Sequence, residues 1–126
     1  MAKYCFIIEK DAKGKPYMPP SLNKLLRSHW GALNRAIGKT WAILDNQVRS
    51  TEKYQFPKGK RRVIAHYFFK VHRKRDDDNW KKVLADAMVK AGIILDDDPE
   101  HLEFQIIFDV DPKRPRIEIM VEDIQE

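Results

Sequence analysis

Two acidic runs in an otherwise basic chain, Asp76-Asp77-Asp78-Asn79 and Asp96-Asp97-Asp98, carry the clearest chemistry in the sequence. Carboxylates packed this closely repel one another unless a cation sits among them. Clustered hard oxygens suit Mg²⁺, with Mn²⁺ as a substitute, and such ions serve phosphodiester cleavage by activating water and stabilising the leaving oxygen. Seven of the 19 acidic residues fall between Asp76 and Asp98, the seventh being Asp86. Around them stand Lys58, Lys60, Arg61 and Arg62, then Arg73, Lys74 and Arg75, then Lys81 and Lys82. A negative pit within a positive rim draws a polyanion to the rim and a cation to the pit. Arg61, Arg62, Arg73, Lys74, Arg75 and Lys81 are therefore the candidate DNA contacts.

Spacing sharpens the reading. If the chain stays extended through Asp76-Asp77-Asp78, the first and third carboxylates share a face and Asp77 points away. A helix from Asn79 to Ala91 carries the chain roughly 20 Å off, and extended residues from Gly92 to Asp97 return it by about 17–20 Å, so the two runs are able to meet. Lys82 follows Asp78 by one helical turn, where it can contact a scissile phosphate or offset developing negative charge. Asp86 lies one further turn along and is expected to pair with Lys82, in the weaker Lys-then-Asp order. An EF-hand is excluded, because a loop starting at Asp76 has Lys81 where glycine is required and Ala87 where a bidentate glutamate is required. So short a chain also leaves little room for the donor domain of an Asp-x-Asp sugar-nucleotide transferase. The competing bland reading is a pair of solvated acidic loops with Asp78 acting only as a helix cap.

The elements that must position these residues follow from hydrophobic period. Lys3 to Glu9 alternates as a strand, with Tyr4, Phe6 and Ile8 on one face and Cys5 and Ile7 on the other, both faces partly buried. After the stiff Pro19-Pro20-Ser21-Leu22-Asn23 segment, Leu22 to Ser50 is helical, as one interrupted helix or two, with Gly31 and Gly38 as candidate breaks. Its apolar stripe is Trp30, Leu33, Ile37, Trp41, Leu44 and Val48, which assigns both tryptophans to the core. Arg62 to Val71 is a strand, and Trp80 to Ala91 a helix capped by Asp78 or Asn79 and ended by Gly92. Leu102 to Val110 and Arg116 to Glu122 are strands, expected to form a C-terminal hairpin. The order β-α-β-α-β-β implies a small α+β domain over residues 1–126, with a mixed sheet of about four strands and two main helices.

Composition sets the outer limits. The 126 residues have 43% hydrophobic content and a net charge of +5, which suits one folded domain. No apolar run is long enough to span a bilayer, and the N-terminus lacks a signal-peptide pattern. Cys5, expected in the core, is the only cysteine, and a chain with no possible intrachain disulfide and no signal-peptide pattern is expected in a reducing cytoplasm. The four histidines, His29, His66, His72 and His101, show no paired metal-ligand spacing.

Arg75-Asp76-Asp77-Asp78-Asn79-Trp80-Lys81-Lys82, followed by Asp86-Ala87, Lys90-Ala91-Gly92 and Leu95-Asp96-Asp97, resembles the hallmark of the RusA family of Holliday-junction resolvases. Pro19-Pro20-Ser21-x-Asn23 is similar to that family's N-terminal element. The resemblance implies a small Mg²⁺-dependent homodimeric endonuclease, of a kind often prophage- or phage-borne, that nicks four-way DNA junctions symmetrically. It further implies that Asp76, Asp78 and Asp97 are essential metal-binding acids, Asp96 an accessory acid and Lys82 the catalytic lysine. Asp77 and Asp98 add charge to the family pattern, which leaves open which acid of the second run binds metal. The segment after Asn23, Lys24-Leu25-Leu26-Arg27-Ser28-His29-Trp30, also departs from that pattern. The alternative function is a non-catalytic DNA-binding or regulatory protein that keeps the fold.

Overall fold

The computed structural model describes residues 3–124. The elements are β1 (Lys3–Ile8), α1 (Leu22–Leu26), α2 (Ala32–Ser50), β2 (Arg61–Phe69), α3 (Asp77–Ala91), β3 (Leu102–Val110) and β4 (Arg116–Asp123). The chain is an α+β fold with a four-stranded mixed sheet in the order β1-β4-β2-β3. β2 and β3 run parallel, while β4 is antiparallel to both β1 and β2. α3 is thus the crossover that a parallel pair requires.

One face of the sheet is buried. Phe6 and Ile8 of β1, Val63, Ala65, Tyr67 and Phe69 of β2, and Ile117, Ile119 and Val121 of β4 pack with Leu44 and Val48 of α2 and Leu84, Ala87 and Met88 of α3. The alternate residues of the same strands form the other face, where Cys5 and Met120 are exposed and Ile64, His66 and Phe68 half-buried. Cys5 is therefore not a core residue: strand alternation sends it away from the helices, which cover the opposite face.

Three further expectations change. The final two strands do not form a hairpin, because β4 lies on the far side of β2 from β3. Asp111 N donates to Phe69 O, which carries the connection across the end of β2. Between β1 and β2, β4 satisfies both of its hydrogen-bonding edges rather than one. The Leu22–Ser50 region is two helices with the break at Gly31, φ 86° and left-handed, which is one of the arrangements the sequence allows, and the change falls on Trp30. This break resets the helical phase, so Trp30 is not part of the core stripe and is 94% exposed. Trp41 does pack against the core, alongside fully buried Thr40, whose hydroxyl donates to Ala36 O. Finally, β2 ends at Phe69 and Val71 is exposed.

Candidate active site

The first acidic run is built into the start of α3. Asp76 is the N-cap, with φ −110° and ψ 127°, and its Oδ1 accepts from Asp78 N at 3.1 Å. Asp77 and Asp78 already lie in the first turn, two residues earlier than the sequence suggests, where carboxylates favour the positive helix end. Asp76 and Asp78 are thus related by a helix cap rather than by strand alternation. The turn is pinned to the sheet: Tyr67 donates its hydroxyl to Trp80 O at 2.9 Å, and Trp80 meets the rings of Tyr67 and Phe69 edge-on. Complete burial pushes the Tyr67 phenol well above its ordinary pKa, so it stays a donor.

The Pro-Pro-Ser-x-Asn element lies against this turn. Ser21 caps α1 by accepting from Lys24 N, and Asn23 N donates to Asn79 Oδ1 at 2.7 Å. Between the two segments runs an open groove of about 640 Å³, whose lining includes Pro20, Lys24, Arg27, Arg73, Lys74 and Asp76. Five cations, Lys24, Arg27, Arg73, Lys74 and Arg75, line it beside one carboxylate. Such a surface suits a phosphate backbone. Arg75 also organises the turn, since its guanidinium lies 3.6 Å from the Phe69 ring centroid and donates to the carbonyls of Val71 and Arg73. Desolvation and nearby Arg73 hold its pKa below the usual arginine value.

The second acidic run lies in the irregular segment between α3 and β3. Gly92 ends α3 in the left-handed conformation, φ 76°, and Ile93 N donates back to Met88 O, a Schellman closure. A β-carbon on Gly92 would come within 2.5 Å of the Phe56 ring, so the position needs glycine for space as well as for φ. Tyr54 donates to Gly92 O at 2.6 Å and Arg61 Nη1 to Ile93 O at 2.9 Å, clasping the chain just before the acids. Asp98 then accepts at Oδ1 from Glu100 N, His101 N and His101 Nδ1, and the His101 contact is the main cause of its lowered pKa.

Lys82 pairs with Asp86 at 3.0 Å, as the sequence suggests. The Asp86 hydrogen bond and charge, with a contribution from Asp97, hold the Lys82 pKa above the ordinary lysine value. The structure therefore brings Lys82, Asp86 and Asp97 into one neighbourhood. It does not gather Asp76, Asp78 and Asp97 into a compact ligand set: among the described residues, Asp96, Asp98 and His101 are the group whose ligand atoms lie within 4.8 Å of one another. The donor chemistry still fits a hard divalent ion, since Asp76, Asp78 and Asp96 are exposed carboxylates. Asp76 and Asp96 each commit Oδ1 to a backbone N–H, and no hydrogen bond among the described residues engages Oδ2 of either.

The candidate cationic rim divides. Arg61 is only 1% exposed and is held by Asp123 Oδ1, Tyr54 Oη and the carbonyls of Gln55 and Ile93, so it is a structural residue and not a DNA contact. Arg62 is on the sheet face away from the helices, ion-paired to Glu122 and Glu103. Lys81 lies over the Phe104 ring. Arg73, Lys74 and Arg75 remain at the groove, joined by Lys24 and Arg27, which the charge reading had passed over. The signal for these two was the lack of any Asp or Glu from Ala12 to Leu44, a stretch with six Lys and Arg residues. His101 was missed because its partner is an aspartate three residues away rather than another histidine.

A family model described as endodeoxyribonuclease RusA matches residues 8–122. The chain belongs to the RusA family. The match takes in the Pro-Pro-Ser-x-Asn element, both acidic runs and the groove between α1 and α3. No curated protein sequence matches the chain significantly.

Proposed function

We propose that this RusA-family chain is a Mg²⁺-dependent endonuclease that resolves four-way or otherwise branched DNA by paired symmetric nicks, acting as a cytoplasmic homodimer. The observation that carries this reading is the acidic start of α3 opening onto a five-cation groove. Lys24, Arg27, Arg73 and Lys74 bind the phosphate backbone and lead it towards Asp76. Asp76 and Asp78, with Asp97 and accessory Asp96 from the second run, would hold the divalent ion, which supplies an activated water and neutralises phosphate charge. Lys82, kept protonated by Asp86 and Asp97, offsets negative charge on the reacting phosphate. A two-fold dimer matches the symmetry of a junction and places two such sites for two cuts.

The test is cleavage of a labelled four-way junction beside a linear duplex of the same sequence, with Mg²⁺, Mn²⁺ or EDTA. Paired junction nicks that vanish in EDTA and in Asp76→Asn uphold the proposal. Full cleavage by Asp76→Asn would sink the site assignment. A second reading, DNA binding without cleavage, draws on the separation of Asp76 and Asp78 from a compact ligand group with Asp97. Salt-sensitive binding with no product under any metal would favour it.

A further inference from the structure

Trp30 is 94% exposed and neighbouring Leu26 is 68% exposed. A tryptophan side chain offers one of the largest apolar areas available for burial, so leaving it in water forgoes substantial stabilisation. The segment that holds it out is nonetheless well anchored. Leu25 is buried with Ala36 and Val83, Ser28 Oγ donates to Lys24 O at 2.6 Å, and Ala32 N donates to His29 O. The left-handed Gly31 then turns the chain into α2. Trp30 is thus presented by a fixed turn directly after two groove residues, Lys24 and Arg27.

Charge identifies the kind of surface this ring meets. Trp30 stands within the acid-free Ala12–Leu44 stretch, with Arg27 and Arg35 near it in sequence. A polyanion with an exposed aromatic face satisfies both the cations and the indole. In linear duplex DNA the bases are stacked on one another and offer no such face along their length, whereas bases at a branch point can unstack and offer one.

We propose that Trp30 stacks on an unstacked base at a DNA branch point, so that the turn after α1 distinguishes branched from linear DNA while the neighbouring groove holds the backbone. This rests on the DNA-directed reading above and adds to it a residue for discrimination.

The experiment measures binding of the full-length chain to a fluorescein-labelled four-way junction and to a matched linear duplex, in EDTA so that no strand is cut. Wild type, Trp30→Ala and Trp30→Phe are compared, with 2-aminopurine at the branch point as a stacking reporter. Base–aromatic stacking sets the expected loss of junction affinity in Trp30→Ala at roughly 5- to 150-fold. Duplex affinity should change less than about twofold, 2-aminopurine quenching should disappear and Trp30→Phe should restore most of both. The thermal midpoint should not move, because the ring is in solvent. Equal losses on junction and duplex, or an unchanged junction affinity, would overturn the proposal. So would unchanged DNA binding with loss of self-association in sedimentation, which would assign Trp30 to a protein contact. If wild type binds neither DNA, the DNA-directed function fails, and this inference with it.

Discussion

Asp76-Asp77-Asp78 lies across the start of α3, whereas Asp96-Asp97-Asp98 lies in irregular chain between α3 and β3. The first run is held by the helix it begins: Asp76 caps, Trp80 is fastened to β2 through Tyr67, and all three aspartates are exposed. The second run has no such frame. Its backbone is set by Gly92, by Tyr54 before β2 and Arg61 at the start of β2 reaching across to it, and by Asp98 folding back on His101. Identical side chains thus receive their positions in two ways, one local and helical, the other long-range and dependent on a buried guanidinium. The second way is the more vulnerable.

Substitutions can break this contrast. The largest expected effect is Asp76→Asn, which should reduce junction cleavage by at least about 100-fold. It should leave the thermal midpoint unchanged, because asparagine caps a helix as well as aspartate does. A large fall in stability would show that the first run is structural after all. Next is Arg61→Met, which strands the carbonyls of Gln55 and Ile93 and the Asp123 carboxylate. A loss of about 2–4 kcal/mol is expected in denaturant unfolding, held down because Asp123 is 35% exposed and partly solvated. Gly92→Ala should follow at about 1–2 kcal/mol from the left-handed backbone alone, plus whatever displacement of Phe56 requires. If Arg61→Met and Gly92→Ala weaken cleavage no more than they weaken folding, the clasp does not govern the second run. The smallest effect is on pH. Asp86 raises the Lys82 pKa, and a raised lysine pKa keeps the cation at pH values where a free amine begins to lose it. Asp86→Asn should therefore move the alkaline limb of the pH–rate profile to lower pH, and an unmoved limb would remove Lys82 from the reaction.

The strands and α3 were legible in the sequence because alternation and the 3.6-residue period are direct consequences of one-sided burial. Gly92 as the end of α3 was legible for the same local reason. The misread positions each depended on something non-local. Arg61 reads as a surface charge by residue type, although it is in phase with buried Val63, Ala65, Tyr67 and Phe69. Only the carbonyls and Asp123 brought to it from elsewhere make that burial tolerable. Trp30 fits a helical stripe until Gly31 shifts the phase. The placing of β4 beside β1 rather than β3 leaves no mark in either strand, since Ile117, Ile119 and Val121 alternate in the same way in both arrangements. At the site, the RusA-like spacing singles out the acids and Lys82, while the groove cations Lys24 and Arg27 leave only an acid-free stretch in the sequence and join Arg73 and Lys74 once α1 is laid against α3.

The position of β4 has a consequence for the order in which the protein is made. β1 is synthesised first and β4 last of the seven elements, yet among the described residues β4 is the only strand to which β1 pairs. Until β4 emerges, β1 has no strand neighbour and the buried face of β2 lacks one side. Asp123, at the end of β4, is also the carboxylate that receives Arg61. The clasp on the second acidic run is therefore completed only when β4 arrives, and a nascent chain stalled before β4 would carry both acidic runs with the Arg61 guanidinium lacking its counter-ion.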